Sequence, residues 1–317
     1  MENNQLNKNK KLLLDVGGTF IKCSDGRSIP IDSDGSREQI SAALREAAAD
    51  YPVLRIAIPG PFNYDEGIFM MKHKFAAVYG VAFTALLGRE ADCRFIHDVN
   101  CMLLGELGPG NRNLPDRGKD FSGTGDPSGC EGDFSGTGDQ SGCEGDCPGT
   151  GNQSGCEGDC PGNVALIALG TGLGFAMSVD GNILRNAAGS PAVSIYNRPF
   201  RDGILEDYAS KRGMLRLYAE EGGPYGLTVK EISGNARRGD EKALRAFSRM
   251  GAIIGRTIAP ILQEYGTQRL LLGGQISRSA DLFLPALEKE IAEVRTLQKV
   301  SAISDFDNAT FNGLKVL

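Results

Sequence analysis

The chain has 317 residues, with 34 Lys and Arg against 40 Asp and Glu, a net charge of -6 at neutral pH. One stretch, residues 121–162, distorts these totals, since it holds 13 of the 43 glycines, 5 of the 8 cysteines, 8 acidic residues and no basic residue. The rest of the chain is close to neutral, has an ordinary globular composition and is long enough for two lobes.

The composition excludes several classes of protein. No window approaches the roughly 18 consecutive apolar residues of a membrane-spanning helix, and residues 1–11 lack the apolar core of a secretory signal. The sequence has no cluster of Lys and Arg of the kind that binds nucleic acid or an anionic membrane. We therefore expect a cytoplasmic protein that binds neither nucleic acid nor membrane.

The N-terminal lobe is predicted to occupy residues 1–115 and to alternate strands with helices. Short apolar runs indicate strands, and Ala- and Leu-rich stretches indicate helices. In chain order we predict strands at 11–16, 19–23, 53–58 and 93–97, and helices at 37–50 and 99–107.

Residues 116–162 are predicted to be a low-complexity insertion. A 13-residue unit repeats three times from residue 121, followed by a truncated fourth copy. Gly, Ser, Asp and Thr dominate, so burial cannot offset the entropy lost on ordering, and we expect a mobile, disordered loop. The alternative is a metal clasp, since four thiols lie in one short segment. These are Cys143, Cys147, Cys156 and Cys160.

The C-terminal lobe is predicted to occupy residues 163–317, and we expect its last segment to pack back on the N-terminal lobe. Predicted strands lie at 163–169, 175–179 and 269–272, and predicted helices at 204–220, 228–237, 240–265 and 279–293. The pair Asp180 and Gly181 indicates a hairpin turn. Mixed strands and helices in this order favour two α/β lobes.

Three glycine turns, each at the end of a predicted buried strand, are the candidate sites of chemistry. Glycine has no Cβ, so phosphate oxygens can approach the backbone N–H groups of such a turn. A single turn is equally compatible with a simple β-hairpin, but one in each lobe and a third near the C-terminus favour phosphate binding. The turns are Gly17, Gly18 and Thr19; Gly170, Thr171, Gly172 and Gly174; and Gly273 and Gly274.

Two carboxylates lie at the ends of predicted strands. Asp15 is suited to hold a hydrated Mg²⁺ near the phosphates. Asp98 precedes a helix, at a position where α/β folds place catalytic groups, and could accept a proton from a substrate hydroxyl. The alternative for Asp98 is that it caps the helix that follows.

The ordered set of motifs resembles the ROK sugar kinases, which include bacterial glucokinases. This resemblance implies a two-lobed ribonuclease H-like (actin-like ATPase, hexokinase-type) α/β fold, here interrupted by the repeat. The segments that carry it are 15–22, 58–61, 98–100, 169–174 and 272–274, with 203–210 resembling the family's Leu-Glu-x-Tyr-Ala-Ser stretch.

The resemblance implies a role for each matching residue. Asp98 corresponds to the general base that takes the proton of the sugar hydroxyl. The first two glycine turns correspond to phosphate loops for ATP, and the third to the turn against the adenosine, with Mg²⁺ held through water by Asp15. The remaining candidates are Lys22 for the nucleotide and Gly60, His97, Asn100 and Glu206 for the sugar.

The chain also departs from the family's pattern. Residues 189–193 and 196–202 stand where zinc-containing members have Glu-x-Gly-His and Cys-x-Cys-Gly-x-x-Gly-Cys segments, but they contain neither His nor Cys. We therefore expect no structural zinc, and a hexose or related sugar rather than glucose in particular. Arg198 and Arg201 near the expected sugar site suit an acidic or phosphorylated sugar, or are simply solvated charges.

These observations favour an ATP-dependent sugar kinase, which the resemblance implies is a homodimer. One alternative is a catalytically weak sugar-binding sensor that retains the fold after losing part of its sugar site. Another is an amino-sugar kinase of a different branch of the same ATPase superfamily.

The repeat gives a prediction that is independent of the site. Deletion of residues 121–162 should leave sugar phosphorylation largely intact, because the entropy of loop closure grows only logarithmically with length. ADP release by the full chain and the deletion variant, together with metal analysis of both, checks this. Loss of activity or of a bound metal on deletion would contradict it.

Overall fold

The computed structural model describes residues 10–108 and 162–317. The three repeat units fall outside these ranges, so the expected mobile loop and the alternative metal clasp concern residues that are not among those described. Within the described ranges, no helix combines the length and the apolar composition needed to cross a bilayer.

The first lobe is built on a five-stranded sheet. Its elements are β1 (Lys11–Val16), β2 (Phe20–Cys23), β3 (Ser28–Pro30), α1 (Arg37–Ala48), β4 (Val53–Ile58), the hairpin of β5 (Phe62–Asn63) and β6 (Ile68–Phe69), α2 (Phe83–Leu87), β7 (Asp92–His97) and α3 (Asp98–Leu107). The strand order is β3-β2-β1-β4-β7, with β1, β4 and β7 parallel and the β1–β2 and β2–β3 pairs antiparallel. The four strands and two helices predicted for this lobe are confirmed to within two residues at each end.

The second lobe repeats this arrangement. Its elements are β8 (Val164–Leu169), β9 (Leu173–Val179), β10 (Asn182–Ile183), the hairpin of β11 (Pro199–Phe200) and β12 (Gly203–Ile204), α4 (Lys211–Glu220), α5 (Val229–Arg237), α6 (Glu241–Glu264), β13 (Arg269–Gly273), α7 (Leu284–Ile291), β14 (Lys299–Ala302) and α8 (Ala309–Val316). The strand order is β10-β9-β8-β13-β14, again an antiparallel pair beside three parallel strands.

Helix α3 packs on both sheets. Its Val99 belongs to an apolar cluster with Leu166 of the second sheet, whereas its Leu104 belongs to a cluster with Leu13 of the first sheet. One helix therefore fixes the position of the two sheets relative to each other.

The last helix, α8, returns to α3, β1 and β4. Gly105 and Gly313 allow this close approach, because a Cβ on Gly313 would overlap the Cys101 carbonyl oxygen and one on Gly105 would lie 2.8 Å from the Gly313 nitrogen. Ser304, just before α8, donates from its N–H and its hydroxyl to Glu106 of α3, at 2.9 and 2.8 Å.

The helix predicted at residues 204–220 is wrong in its first half. Strand β12 and a short 3-10 turn, Leu205–Asp207, occupy its start, and α4 begins only after its N-cap Ser210. The Asp207 carboxylate accepts the Ile204 N–H at 3.0 Å and closes a tight turn before the helix begins.

The helix predicted at residues 279–293 is also broken. A 3-10 helix, Gln275–Leu282, with non-helical dihedrals at Ser279, precedes α7, and Pro285 lies in the first turn of α7. Proline suits the first turn of a helix, where its missing N–H would have no partner within the helix, so Pro285 favours a new helix start at this position.

The contact between α3 and α8 predicts a large effect of a single methyl group. Gly313→Ala should lower the free energy of unfolding by about 2–4 kcal/mol, because α8 must move away from the Cys101 carbonyl. Chemical denaturation measures this.

Gly234→Ala in α5 is the matched control. A Cβ there would meet only the Arg238 side chain, at 3.5 Å, so this variant should be neutral or more stable by up to about 1 kcal/mol. Equal effects of the two substitutions would contradict the close-packing account.

Candidate functional site

The candidate residues lie where the parallel strands of both sheets end. In the first lobe, β1 leads into Gly17, β4 into Gly60 and β7 into Asp98; in the second lobe, β8 leads into Gly170 and β13 ends at Gly273. Parallel strands end at the same edge of a sheet, so each lobe presents its turns together.

Helix α3 brings these two edges close to each other. Gly174 at the start of β9 has no side chain, and a Cβ there would overlap the Val99 side chain of α3. The second glycine turn therefore lies directly beside the first turn of the helix that begins with Asp98.

The first glycine turn is tight but leaves two donors free. Gly17 donates its N–H to the Phe20 carbonyl at 2.9 Å, and the Gly18 carbonyl accepts the Ser33 N–H at 3.1 Å. Within residues 10–108 and 162–317, the backbone N–H groups of Gly18 and Thr19 donate to no protein acceptor. These two groups are available to an anionic ligand.

The second glycine turn also leaves two backbone N–H donors free in the described part of the chain. Gly170 donates its N–H to the Gly172 carbonyl at 3.0 Å and accepts the Lys211 N–H at 2.8 Å, while the N–H groups of Thr171 and Gly172 find no acceptor in the described part of the chain. The third turn lies against it, since Gly274 has φ +78° and a Cβ there would overlap the Leu169 backbone.

Asp98 is the first residue of α3 and keeps one oxygen free. Its Oδ1 accepts the Val99 N–H at 2.7 Å and lies 2.8 Å from Nδ1 of His97. Nδ1 of His97 also accepts the Val99 N–H, at 3.3 Å, and His97 is the N-cap of α3. The alternative in which Asp98 is the cap is therefore wrong, and Oδ2 of Asp98 has no hydrogen-bond partner among the described residues. The side chain is 36% exposed.

The charges around the site shift the pKa of both carboxyl groups. Burial raises the pKa of Asp98, but the adjacent His97 and the Val99 N–H outweigh it, so its pKa lies below the usual range. Burial and the nearby charge of Asp98 raise the pKa of Asp15 to about 6. Asp15 and Asp98 are therefore close enough for their charges to interact.

A polar wall surrounds His97. A Cβ built on Gly60 would lie 3.3 Å from Cδ2 of His97 and 3.4 Å from Oγ of Ser190, and the ring centroids of Tyr64 and His97 are 5.9 Å apart. Burial, with the charge of Asp98, raises the pKa of Tyr64, whose hydroxyl donates to the Ile58 carbonyl at 2.9 Å. The segment from residue 189, which departs from the family's pattern, therefore forms part of this wall.

Asn100 is buried in the first turn of α3. Its side chain has no exposed surface, and its Nδ2 donates to the Gly189 carbonyl at 3.4 Å. Its Oδ1 has no hydrogen-bond partner among the described residues, so its role as a sugar ligand stays a prediction.

Glu206 is held against the second glycine turn. Its Oε2 accepts the Leu173 N–H at 2.9 Å, its Oε1 lies 2.9 Å from Nη2 of Arg212, and a Cβ on Gly172 would lie 2.8 Å from Oε2. The carboxylate thus touches the phosphate-loop candidate directly, and a glycine at position 172 is what makes room for it.

Two lysines of the first lobe lie near the carboxylates. Lys22 on β2 is exposed and pairs in register with Asp15, whose pKa its charge lowers. Sequence reasoning missed Lys74, whose stem would lie 3.9 Å from a Cβ on Gly18 and whose charge lowers the pKa of Asp98. A run of three basic side chains at residues 72–74 was the available signal.

The segment that departs from the zinc motif forms the β11–β12 hairpin. Asp202 in its turn accepts hydrogen bonds from Arg216, at 2.8 Å, and from the Tyr208 hydroxyl. Arg201 lies 3.7 Å from Glu220, so its charge is partly neutralised. Within the described ranges, no three His, Cys, Asp or Glu side chains are grouped closely enough to hold a metal ion.

Comparison with known proteins agrees with this geometry. Residues 153–311, half of the chain, match the model of the ROK family. A glucokinase from Streptomyces coelicolor is 28% identical over 152 residues, which cover 40% of this chain and 48% of the glucokinase. The chain therefore spans about half the length of this curated relative. The transcriptional repressor Mlc of Escherichia coli is 31% identical over 67 residues, 21% of this chain and 16% of the repressor.

The same fold occurs in a solved structure. A ROK family glucokinase from Streptomyces griseus, in complex with glucose and AMPPNP, superposes with a TM-score of 0.63 at 17% identity and covers 96% of this chain and 97% of its own. At this identity the likeness establishes the fold, and it confirms the expected two-lobed α/β architecture. The chain belongs to the ROK family.

Proposed function

We propose that the protein is an ATP-dependent kinase that transfers the γ-phosphate to a hydroxyl of a hexose or related sugar. One observation carries this proposal: Asp98, whose Oδ2 has no partner among the described residues, begins a helix that packs against the second glycine turn, and its charge acts on Asp15, two residues before the first turn. The family match supports the sugar, and the glucokinase relative supports the phosphoryl transfer.

The free backbone donors fit a nucleotide triphosphate. Among the described residues, four backbone N–H groups, two in each glycine turn, have no acceptor, and phosphate oxygens are the acceptors that such turns bind. The third turn at Gly273 and Gly274 lies against the second and would receive the adenosine. Asp15 would hold a hydrated Mg²⁺, which when bound neutralises charge on the phosphates.

Asp98 would act as the general base. The sugar oxygen forms a bond to the γ-phosphorus as its proton passes to Oδ2 of Asp98, the bond to the β-phosphate oxygen breaks, and ADP leaves with that electron pair. A lowered pKa keeps Asp98 ionised and ready to accept the proton. Most of the rate enhancement would come from positioning and charge stabilisation.

The sugar would lie against the wall formed by Gly60, His97 and Ser190. Glycine at position 60 leaves room for a ring beside the His97 imidazole, and Ser190 supplies a hydroxyl. Glu206 would contact a sugar hydroxyl through the oxygen that faces Arg212 while its other oxygen binds Leu173 N–H.

A homodimer is part of the proposal, and light scattering on the purified chain tests it.

The alternative is a sugar-binding sensor with little catalysis. It is favoured by the partial likeness to the repressor Mlc and by the absence of an acid or a histidine in residues 189–193. The retained Asp98 and both glycine turns favour the kinase, because a sensor has no need for a base beside free phosphate donors. A panel that includes amino sugars separates the third possibility, an amino-sugar kinase.

Replacement of the base gives the direct test. ADP release across hexoses, amino sugars and acidic sugars should identify a substrate, and Asp98→Asn should lower kcat on it by about 10² to 10⁴-fold, since the amide cannot accept the proton. Sugar and ATP affinity should change little. If the wild type binds a sugar but releases no more ADP than the variant, the proposal of a kinase is wrong. If Asp98→Asn is fully active, the assignment of Asp98 as the general base is wrong.

The raised pKa of Asp15 predicts that replacing this residue makes the fold more stable but removes activity. The pKa of Asp15 is raised from 3.8 to about 6, so the folded state binds the proton more tightly than the unfolded state does. The resulting contribution to the free energy of unfolding is fully present below pH 4 and is lost as the pH rises through 6. Without nucleotide or magnesium, Asp15→Asn should raise the free energy of unfolding at pH 7.5 by about 1–3 kcal/mol. The same variant should lose kinase activity.

Chemical denaturation of the wild type and Asp15→Asn at several pH values measures this gain in the free energy of unfolding. The gain should shrink between pH 6 and pH 4, and the exposed-turn variant Asp50→Asn should show no such pH-dependent gain. A gain that grows towards acid pH would have the wrong sign for the account.

A further inference from the structure

Lys74 is held over the first glycine turn by the backbone that follows it. Phe75 is fully buried in the first-lobe core, adopts the left-handed conformation with φ +54° and donates its N–H to the Ser33 carbonyl at 2.6 Å. Ser33 in turn donates its N–H to the Gly18 carbonyl at 3.1 Å. Non-glycine residues in this conformation persist where the surroundings enforce them, often at functional sites.

The side chain of Lys74 lies beside that turn, and its charge acts on the base. Its Cδ would lie 3.9 Å from a Cβ on Gly18, and its charge reaches Asp98. Lys74 is exposed and forms no ion pair within residues 10–108 and 162–317, so its ammonium is not committed to another carboxylate.

A positive charge at the position of Lys74 would offset the negative charges around the site. Two carboxylates, Asp15 and Asp98, share the cleft with the free donors of the glycine turns, and they would repel a triphosphate. In phosphoryl transfer the charge on the equatorial oxygens must be stabilised while the group moves from donor to acceptor. The ammonium of a side chain that packs beside the phosphate turn, and whose charge acts on the base, can supply this stabilisation.

From this arrangement we propose that Lys74 is a further catalytic residue, one that binds the transferring phosphoryl group between the first glycine turn and Asp98. The proposal rests on the proposed kinase function. Its ammonium would donate hydrogen bonds to the phosphoryl oxygens as the bond to the sugar oxygen forms and the bond to ADP breaks, with the hydroxyl proton passing to Asp98. Lysine acts here as a compact point charge.

The neighbouring Lys72 provides a matched control. Its Nζ lies 5.6 Å from the centre of the Tyr79 ring, so it is engaged by an aromatic face rather than by the turn. Both lysines are exposed, and replacing either should leave the thermal midpoint unchanged.

The experiment compares Lys74→Gln, Lys74→Arg and Lys72→Gln on the sugar identified by the ADP-release panel. We expect Lys74→Gln to lower kcat by roughly 10²-fold, as the loss of one transition-state donor does, with the KM for sugar little changed. Lys74→Arg should recover most of the rate, and Lys72→Gln should behave as wild type. Unchanged kcat in Lys74→Gln, or an equal loss in Lys72→Gln, would overturn the proposal.

A binding measurement separates this proposal from the kinase itself. Affinity for ADP with Mg²⁺ and aluminium fluoride, which imitates the planar phosphoryl group, should fall roughly 10²-fold in Lys74→Gln, while affinity for ADP with Mg²⁺ should change far less. If the wild type phosphorylates no sugar, the proposed function fails, and equal aluminium-fluoride affinities of Lys74→Gln and Lys72→Gln then reject the role of Lys74 as well.

Discussion

The close approach of α3 to β9 and α8 is the constraint on which the site depends. It requires glycine at three positions, because side chains at Gly105, Gly174 and Gly313 would overlap the neighbouring element or approach it within 2.8 Å. Without that approach, the second glycine turn would lie away from the helix that begins with Asp98. The packing of one helix against both lobes therefore determines whether base and phosphate turns form one site.

The electrostatics of the site depend on two carboxylates at strand ends of the first sheet. Burial, together with the charge of Asp98, raises the pKa of Asp15 to about 6. Burial acts on Asp98 in the same direction, but the adjacent His97 and the Val99 N–H outweigh it and keep the pKa of Asp98 low. The opposing cations come from segments distant in sequence, Lys22 on β2 and Lys74 after the β5–β6 hairpin. Such a cleft is less stable empty than occupied, as expected of a site built to stabilise a ligand's charge.

The sequence predicted the parts of the site that are local. A glycine turn after an apolar strand is recognisable without tertiary information, and so is an Asp between a strand and a helix. It could not predict that Asn100 is fully buried, that Ser190 and Tyr64 approach His97, or that Lys74 lies near Gly18, because each depends on how distant segments pack together. The helix predicted at 204–220 begins only at Lys211, because the hydrogen bond from the Ile204 N–H to the Asp207 side chain, which apolar periodicity does not reveal, forms a turn in its place.

The central claim is that both glycine turns bind one nucleotide beside Asp98. Hydrogen exchange of the peptides that contain residues 17–19 and 170–172, with and without ATP and Mg²⁺, tests it directly. The account predicts that exchange of the free amides of Gly18, Thr19, Thr171 and Gly172 slows together, by about ten-fold or more. Slowing in only one turn, or in neither, would contradict it.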